Sequence, residues 1–218
     1  MGFLIYKNMK NIIKYKEFKI NENNKNDVLL IIDVQKSFRK FFSELYLNEL
    51  KKYCNNFSKV YQIWDNHIDG KKIDKDYLYD NNPEIPIHQD LYEFPNQIDI
   101  IEKRYNYNVD IDFYKKILDK NTYDSVKNME LKNELKKGDI FPTKESTILT
   151  YIGNNHKWFH CPKKLYNLFL SLKESKIVIV GGSDSECLDD IFTTAESLGL
   201  NISRNYKYIW SANHCPIK

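Results

Sequence analysis

Two apolar strings interrupt an otherwise polar chain, and each ends in reactive side chains. Val28-Leu29-Leu30-Ile31-Ile32 runs into Asp33-Val34-Gln35-Lys36-Ser37-Phe38, and Ile177-Val178-Ile179-Val180 passes through Gly181-Gly182 into Ser183-Asp184-Ser185-Glu186-Cys187. Continuous aliphatic runs of this kind read as strands covered on both faces, the pattern of a parallel sheet. Further strands are expected at Val60–Trp64, ending at Asp65-Asn66-His67, and at Ile98–Lys103. Helical spacing is expected over 40–56, with Phe41, Phe42, Leu45, Leu47 and Leu50 as the apolar stripe, and again around 110–120. A helix over 162–174 has Pro162 near its first turn and Leu165, Leu168, Phe169 and Leu172 on one face, and a helix over 188–198 stops at Gly199.

Between these elements, residues 1–27 are largely polar, and 68–96, with Pro83, Pro86 and Pro95, read as a long irregular loop. Residues 121–160 read as an insertion with a charged helix, a loop at Gly138 and a hairpin through Ile140-Phe141 and Thr147–Ile152; a lid over the site is one role it suggests. Strands alternating with helices predict an α/β fold: one three-layer α/β/α domain over 1–218 with a mostly parallel central sheet.

Composition narrows the function classes. The net charge of +3 over 218 residues is too small to argue for nucleic acid. Runs such as Lys71-Lys72 and Lys136-Lys137 read as solvated faces. No apolar stretch approaches the roughly 18 residues of a membrane span, and the run Gly2–Tyr6 is too short for a signal peptide. The cysteines Cys54, Cys161, Cys187 and Cys215 form no CxxC pair, which fits a reduced, cytoplasmic compartment better than a disulfide framework.

The chemistry gathers where the strands end. In open α/β sheets the ligand crevice lies at the carboxyl ends of the strands. Cys187 opens a helix, where the helix N-terminus favours a thiolate and the amides of the turn can hold an oxyanion. Glu186, Asp189 and Asp190 work against that activation, because negative charge raises a thiol pKa. Asp33, at the end of the first strand, is the candidate general base.

The segment Leu29-Leu30-Ile31-Ile32-Asp33-Val34-Gln35…Phe38 resembles the opening motif of the isochorismatase-like cysteine hydrolases, which include nicotinamidases. Ile177–Cys187 followed by Thr194-Ala195-Glu196-Ser197-Leu198-Gly199 resembles the nucleophile strand, turn and helix of that family, and the resemblance covers about residues 28–104 and 162–204. It implies the isochorismatase-like hydrolase fold and a triad of Asp33, Lys103 and Cys187, with Lys144 the reserve lysine. It further implies an oxyanion hole from the backbone of Ser183 and Cys187, and a cis peptide at Gly182–Ser183. A divalent zinc or iron ion on Asp65, His67 and His88 would sit beside a small amide substrate, with nicotinamide foremost. Members of the family are often oligomeric, so a homo-oligomer is an open expectation. The chain departs from the family in the turn Gly182-Ser183-Asp184-Ser185-Glu186, where small apolar residues and Thr-Asp are usual.

Two other readings compete. The turn Val180–Glu186 also resembles that of PIN/NYN-type nucleases, in which Asp33, Asp184 and Asp189 would hold Mg²⁺ or Mn²⁺. A non-catalytic binding protein on the same fold would use the aromatic residues Tyr151, Trp158 and Phe159 as a contact surface, against which plain core packing is the simpler expectation. His160-Cys161 and His214-Cys215 would make a structural zinc site only if the fold brought them together.

Overall fold

A computed structural model describes residues 27–65, 68–69, 72–73, 91–103, 110–153, 157–211 and 213–217. Five strands form the main sheet: β1 (Asp27–Ile32), β2 (Lys59–Asp65), β3 (Gln97–Lys103), β7 (Lys176–Gly181) and β8 (Ile202–Ile209). A smaller sheet contains β4 (Ile140–Pro142), β5 (Ile148–Tyr151) and β6 (Trp158–His160), and the helices are α1 (Glu44–Cys54), α2 (Lys120–Leu131), α3 (Lys163–Ser171) and α4 (Cys187–Ser197). The main sheet has the order β8-β7-β1-β2-β3, and every neighbouring pair is parallel. Alternate residues of the central strands serve opposite faces. Val28, Leu30, Ile32, Ile177 and Ile179 pack with α3 and α4, whereas Leu29, Ile31, Val178 and Val180 pack with α1 and the aromatic residues Phe38, Phe42 and Trp210. This is the expected three-layer α/β arrangement, and it explains why both strings are apolar at every position.

The strand order reverses at β1. From β1 the chain moves out to β2 and β3, then returns to build β7 and β8 on the other side. Such a reversal opens a crevice at the carboxyl ends of the two strands that flank it. Here those ends are Asp33 and the segment Gly181–Cys187.

Several elements differ from the sequence expectation. Phe41 lies in a 3₁₀ turn (Lys36–Phe41), and α1 starts only after Ser43, whose side chain accepts from the Tyr46 amide. The buried face of α1 is therefore Tyr46, Leu47, Leu50 and Cys54, and Leu45 is 51% exposed. The helix expected around 110–120 is a short 3₁₀ turn (Ile111–Tyr114), because Asp110 caps that turn and Asp119 caps the separate helix α2. Besides the short antiparallel pair Ile68–Asp69 and Lys72–Ile73 in the expected loop, two further strands were not foreseen. β6 completes the expected hairpin as a third antiparallel strand, and β8 forms one edge of the main sheet with four polar or charged residues in its middle, Ser203 to Tyr206 being only half-buried or exposed. Most of the 68–96 loop lies outside the described residues.

The 121–160 segment does not have the packing of a lid. Ile148, Ile152 and Phe159 belong to the same core as β1, β7, α3 and α4, and the Thr194 hydroxyl donates to that of Thr150 at 2.9 Å in the buried interior. Trp158 and Phe159 are 2% and 1% exposed, so they pack rather than present a contact surface. Helix α2 and the 3₁₀ turn close a satellite core over Leu149 and Trp158.

Truncation should separate these burial assignments. Phe169→Ala, in the centre of α3, is expected to destabilise the fold by about 3–5 kcal/mol. Leu45→Ala, despite its place in the expected stripe, should stay within about 0.5 kcal/mol of wild type. Chemical denaturation of the two variants measures the difference.

Candidate active site

Three strand ends and one helix start converge. Asp65 and Lys103 are register partners at the ends of β2 and β3, and the Asp33 amide donates to the Ile63 carbonyl at 3.0 Å. Asp33 sits in the left-handed region at φ 52°, which a non-glycine residue seldom adopts and which turns its carboxylate away from the strand path. On the other side of β1, Gly181 has φ 101°, and a Cβ there would lie 2.0 Å from the Ile32 carbonyl oxygen. A Cβ on Gly182 would lie 2.3 Å from the Trp210 ring. Only glycines let the end of β7 approach β1 this closely. The Gly182–Ser183 peptide is cis, where the resemblance puts one.

The turn then folds on itself. The amides of Glu186 and Leu188 both donate to the Ser183 carbonyl at 3.1 Å, and α4 begins at Cys187. The Ser183 amide donates to no backbone carbonyl among the described residues.

The side chains meet in the interior. Lys103, with no exposed surface, brings Nζ to 2.8 Å from Asp33 Oδ2 and 3.4 Å from Asp65 Oδ2. The carboxylate oxygens of Asp33 and Asp65 and the Cys187 sulfur all lie within 4.8 Å of one another. The Lys103–Asp33 contact has the distance of an ion pair, but neither Asp33 oxygen receives a well-aligned hydrogen bond among the described residues. Burial raises the Asp33 carboxyl to about 7, with Lys103 pulling it down, the Asp65 charge pushing it up and the Cys187 thiol pulling it down. Burial alone would lower Lys103, but the charges of Asp33, Asp65 and Cys187 outweigh it and hold the ammonium above its ordinary value. The structure thus brings together Asp33, Lys103 and Cys187, and adds Asp65 as a second carboxylate on the ammonium. Lys144 is exposed, and its ammonium reaches the Lys116 carbonyl at 3.4 Å.

Gln35 is a supporting residue that the sequence reading quoted without a role. Its amide nitrogen donates to the Asp65 carbonyl at 2.8 Å, and its oxygen accepts from the Asp65 amide at 3.1 Å. A buried glutamine can read a neighbouring backbone in this two-way fashion, and it fixes Asp65 opposite Lys103. The signal in the sequence was a polar residue two positions beyond Asp33, within a stretch that is otherwise buried.

His67 and His88 lie outside the described residues. Of the expected metal ligands only Asp65 is described, and its Oδ2 faces the Lys103 ammonium. The Asp33–Asp65–Cys187 group already has that buried cation against it, which would repel a second. The described residues therefore do not by themselves fit a metal centre. Asp184 and Asp189 do not join Asp33: both pair with Arg204, at 3.2 and 2.6 Å, and Asp189 also pairs with Lys137. The expected Asp33–Asp184–Asp189 cluster is thus not formed among the described residues. Neither does any group joining His160-Cys161 to His214-Cys215 form there. Burial pushes the Cys54 thiol up to about 12, with the Lys51 charge pulling only slightly against it, and pushes Cys161 higher still, which disfavours a thiolate at either.

No family model, curated protein or solved structure matches the chain. Among the described residues no helix is long and apolar enough to cross a membrane.

The raised Asp33 carboxyl has a consequence for stability. Its folded value of about 7 lies above the ordinary 3.8, so between these limits the folded chain holds a proton that the unfolded chain has lost. The stabilising contribution is complete below the lower value and is lost as pH rises through the upper one. Melting temperature is expected to decline from about pH 5 to about pH 8, and to decline less steeply in Asp33→Asn. Thermal unfolding across that range checks it, and equal slopes would refute the assignment.

Proposed function

We propose that this protein hydrolyses a small amide through Cys187, with nicotinamide the first substrate to test. The observation that supports this reading is the buried meeting of Asp33, Lys103 and a thiol at the start of a helix, at the reversal point of a parallel sheet. Asp33 accepts the thiol proton as the Cys187 sulfur attacks the amide carbonyl. An acid near neutrality is matched to that exchange, because it can both take and return a proton at physiological pH. The C–N bond then breaks, Asp33 delivers the proton to the leaving amine, and a thioester remains on Cys187. Water, deprotonated by Asp33, attacks the thioester; the carboxylic acid leaves and the thiol is restored. Lys103 supports the charge that passes between Asp33 and the sulfur, and the amides of Ser183 and Cys187 hold the oxyanion.

Ammonia release from nicotinamide and a panel of small amides tests the reading. Wild type is expected to turn over, Cys187→Ala to fall to background, Lys103→Met to lose at least about a hundredfold, and Lys144→Met to match wild type. A chelator arm tests the expected zinc or iron ion: activity that falls on chelation and returns with either metal would support the Asp65, His67 and His88 set. A wild type silent on every amide overturns the hydrolase reading and makes Mn²⁺-dependent nuclease assays the next step.

A further inference from the structure

Four acids flank Cys187: Asp184 and Glu186 before it, Asp189 and Asp190 after it. Their summed charge opposes any anionic species at the sulfur. One cation engages two of them. Arg204, on β8, brings Nη1 to 3.2 Å from Asp184 Oδ1 and Nη2 to 2.6 Å from Asp189 Oδ1. Its side chain is only 17% exposed, and its guanidinium lies 4.2 Å from the centre of the Phe192 ring. Packing and charge therefore fix it together, as suits a planar fork that is always ionised. Lys137 reaches Asp189 Oδ2 at 2.5 Å, but half its side chain is exposed and it touches neither Asp184 nor the turn.

We propose that Arg204 is a positioning residue for Cys187. It ties the turn before the cysteine to the first turn of the helix after it, and its charge offsets the two acids that would otherwise repel an anion at the thiol. Among the described residues, the other charges in this region are Asp33, Asp65 and Lys103 from the strand ends, Glu186 and Asp190 from the turn and helix of Cys187, and Lys137 on Asp189. This role rests on Cys187 being the reacting group, and its test needs no amide substrate.

The test compares alkylation of Cys187 by neutral iodoacetamide and by anionic iodoacetate, at one pH and low ionic strength. Peptide mass spectrometry separates Cys187 adducts from those of Cys215. Arg204→Gln is expected to raise the iodoacetamide-to-iodoacetate rate ratio about fivefold, the size expected for one charge a few ångströms beyond contact in a partly solvated site. Adding Asp184→Asn to that variant restores the local sum of charge and should return the ratio to the wild-type value. A purely structural role would lower the melting temperature and leave the ratio alone. If Arg204→Gln does not fold, Asp184→Asn with Asp189→Asn in the wild-type chain is expected to shift the ratio below wild type, because Arg204 is then unopposed. A ratio that stays unchanged in whichever variant folds, or a wild-type Cys187 that resists both reagents, overturns the proposal. The hydrolase reading fails in a different way, through silence on amides while alkylation proceeds normally.

Discussion

The carboxyl end of the sheet is organised around one buried ammonium. Lys103 has no exposed surface, and an unpaired charge in that setting would cost several kcal/mol even after relaxation. It is tolerated because Asp65 meets it from the adjacent strand β2 and Asp33 from the end of β1 beyond. Removing one partner of such a pair typically costs about 3–5 kcal/mol, since the other is left buried and uncompensated. The pairing therefore fixes β1, β2 and β3 relative to one another at the end where it matters. It also leaves an imbalance. One positive charge faces two carboxylates and a thiol, and Asp33, the more deeply buried carboxylate, is the one driven upward.

That charge cluster needs a backbone able to bring Cys187 within reach of it. Side chains are absent where β7 approaches β1: Gly181 lies against the Ile32 carbonyl and Gly182 against the Trp210 ring. Trp210 follows β8 and stacks on Phe41 with 5.2 Å between ring centres, so it joins the end of the last strand to the turn that follows the first. The unusual backbone of Asp33 belongs to the same arrangement, because a continued β-strand path would point its carboxylate to one face of the sheet. Strand ends, glycines and one aromatic ring thus hold the sulfur and the carboxylates within a few ångströms.

Much of this was legible in the sequence where a residue's role depends on its own strand. The uninterrupted runs of β1 and β7 announced a sheet covered on both faces, and the residues at their ends were the ones the fold gathers. Lys103 over Lys144 followed from strand context, since only a residue at the end of a strand reaches the crevice. What escaped was set by partners distant in sequence. β8 has a polar middle because it is an edge strand, and an edge strand does not alternate as a half-buried one does. Leu45 fits the helical spacing as well as Tyr46, but Ser43 capping sets the phase of α1 and turns Leu45 outward. Gln35 showed only as a polar residue within a buried stretch, and Arg204 carried no local signal: one reads a backbone on β2, the other spans acids on either side of Cys187. The segment 121–160 looked detachable from its charge, whereas its few apolar residues sit beneath α4.

Helix α4 contains a conflict that clarifies the remaining acids. Asp189 and Asp190 in its first turn favour the helix, because carboxylates complement the partial positive charge of a helix N-terminus. The same partial charge is what would favour an anionic sulfur on Cys187, so helix stability and thiol reactivity draw on one field. A sequence without the acids would leave that field to the thiol and weaken the helix start. A sequence with the acids and no cation would do the reverse. Pairing Asp189 with Arg204 and Lys137 keeps the carboxylate at the helix start while cancelling most of its charge at longer range. The acids around Cys187 are therefore compatible with a reactive thiol only in a fold that returns β8 beside β7, and this one does.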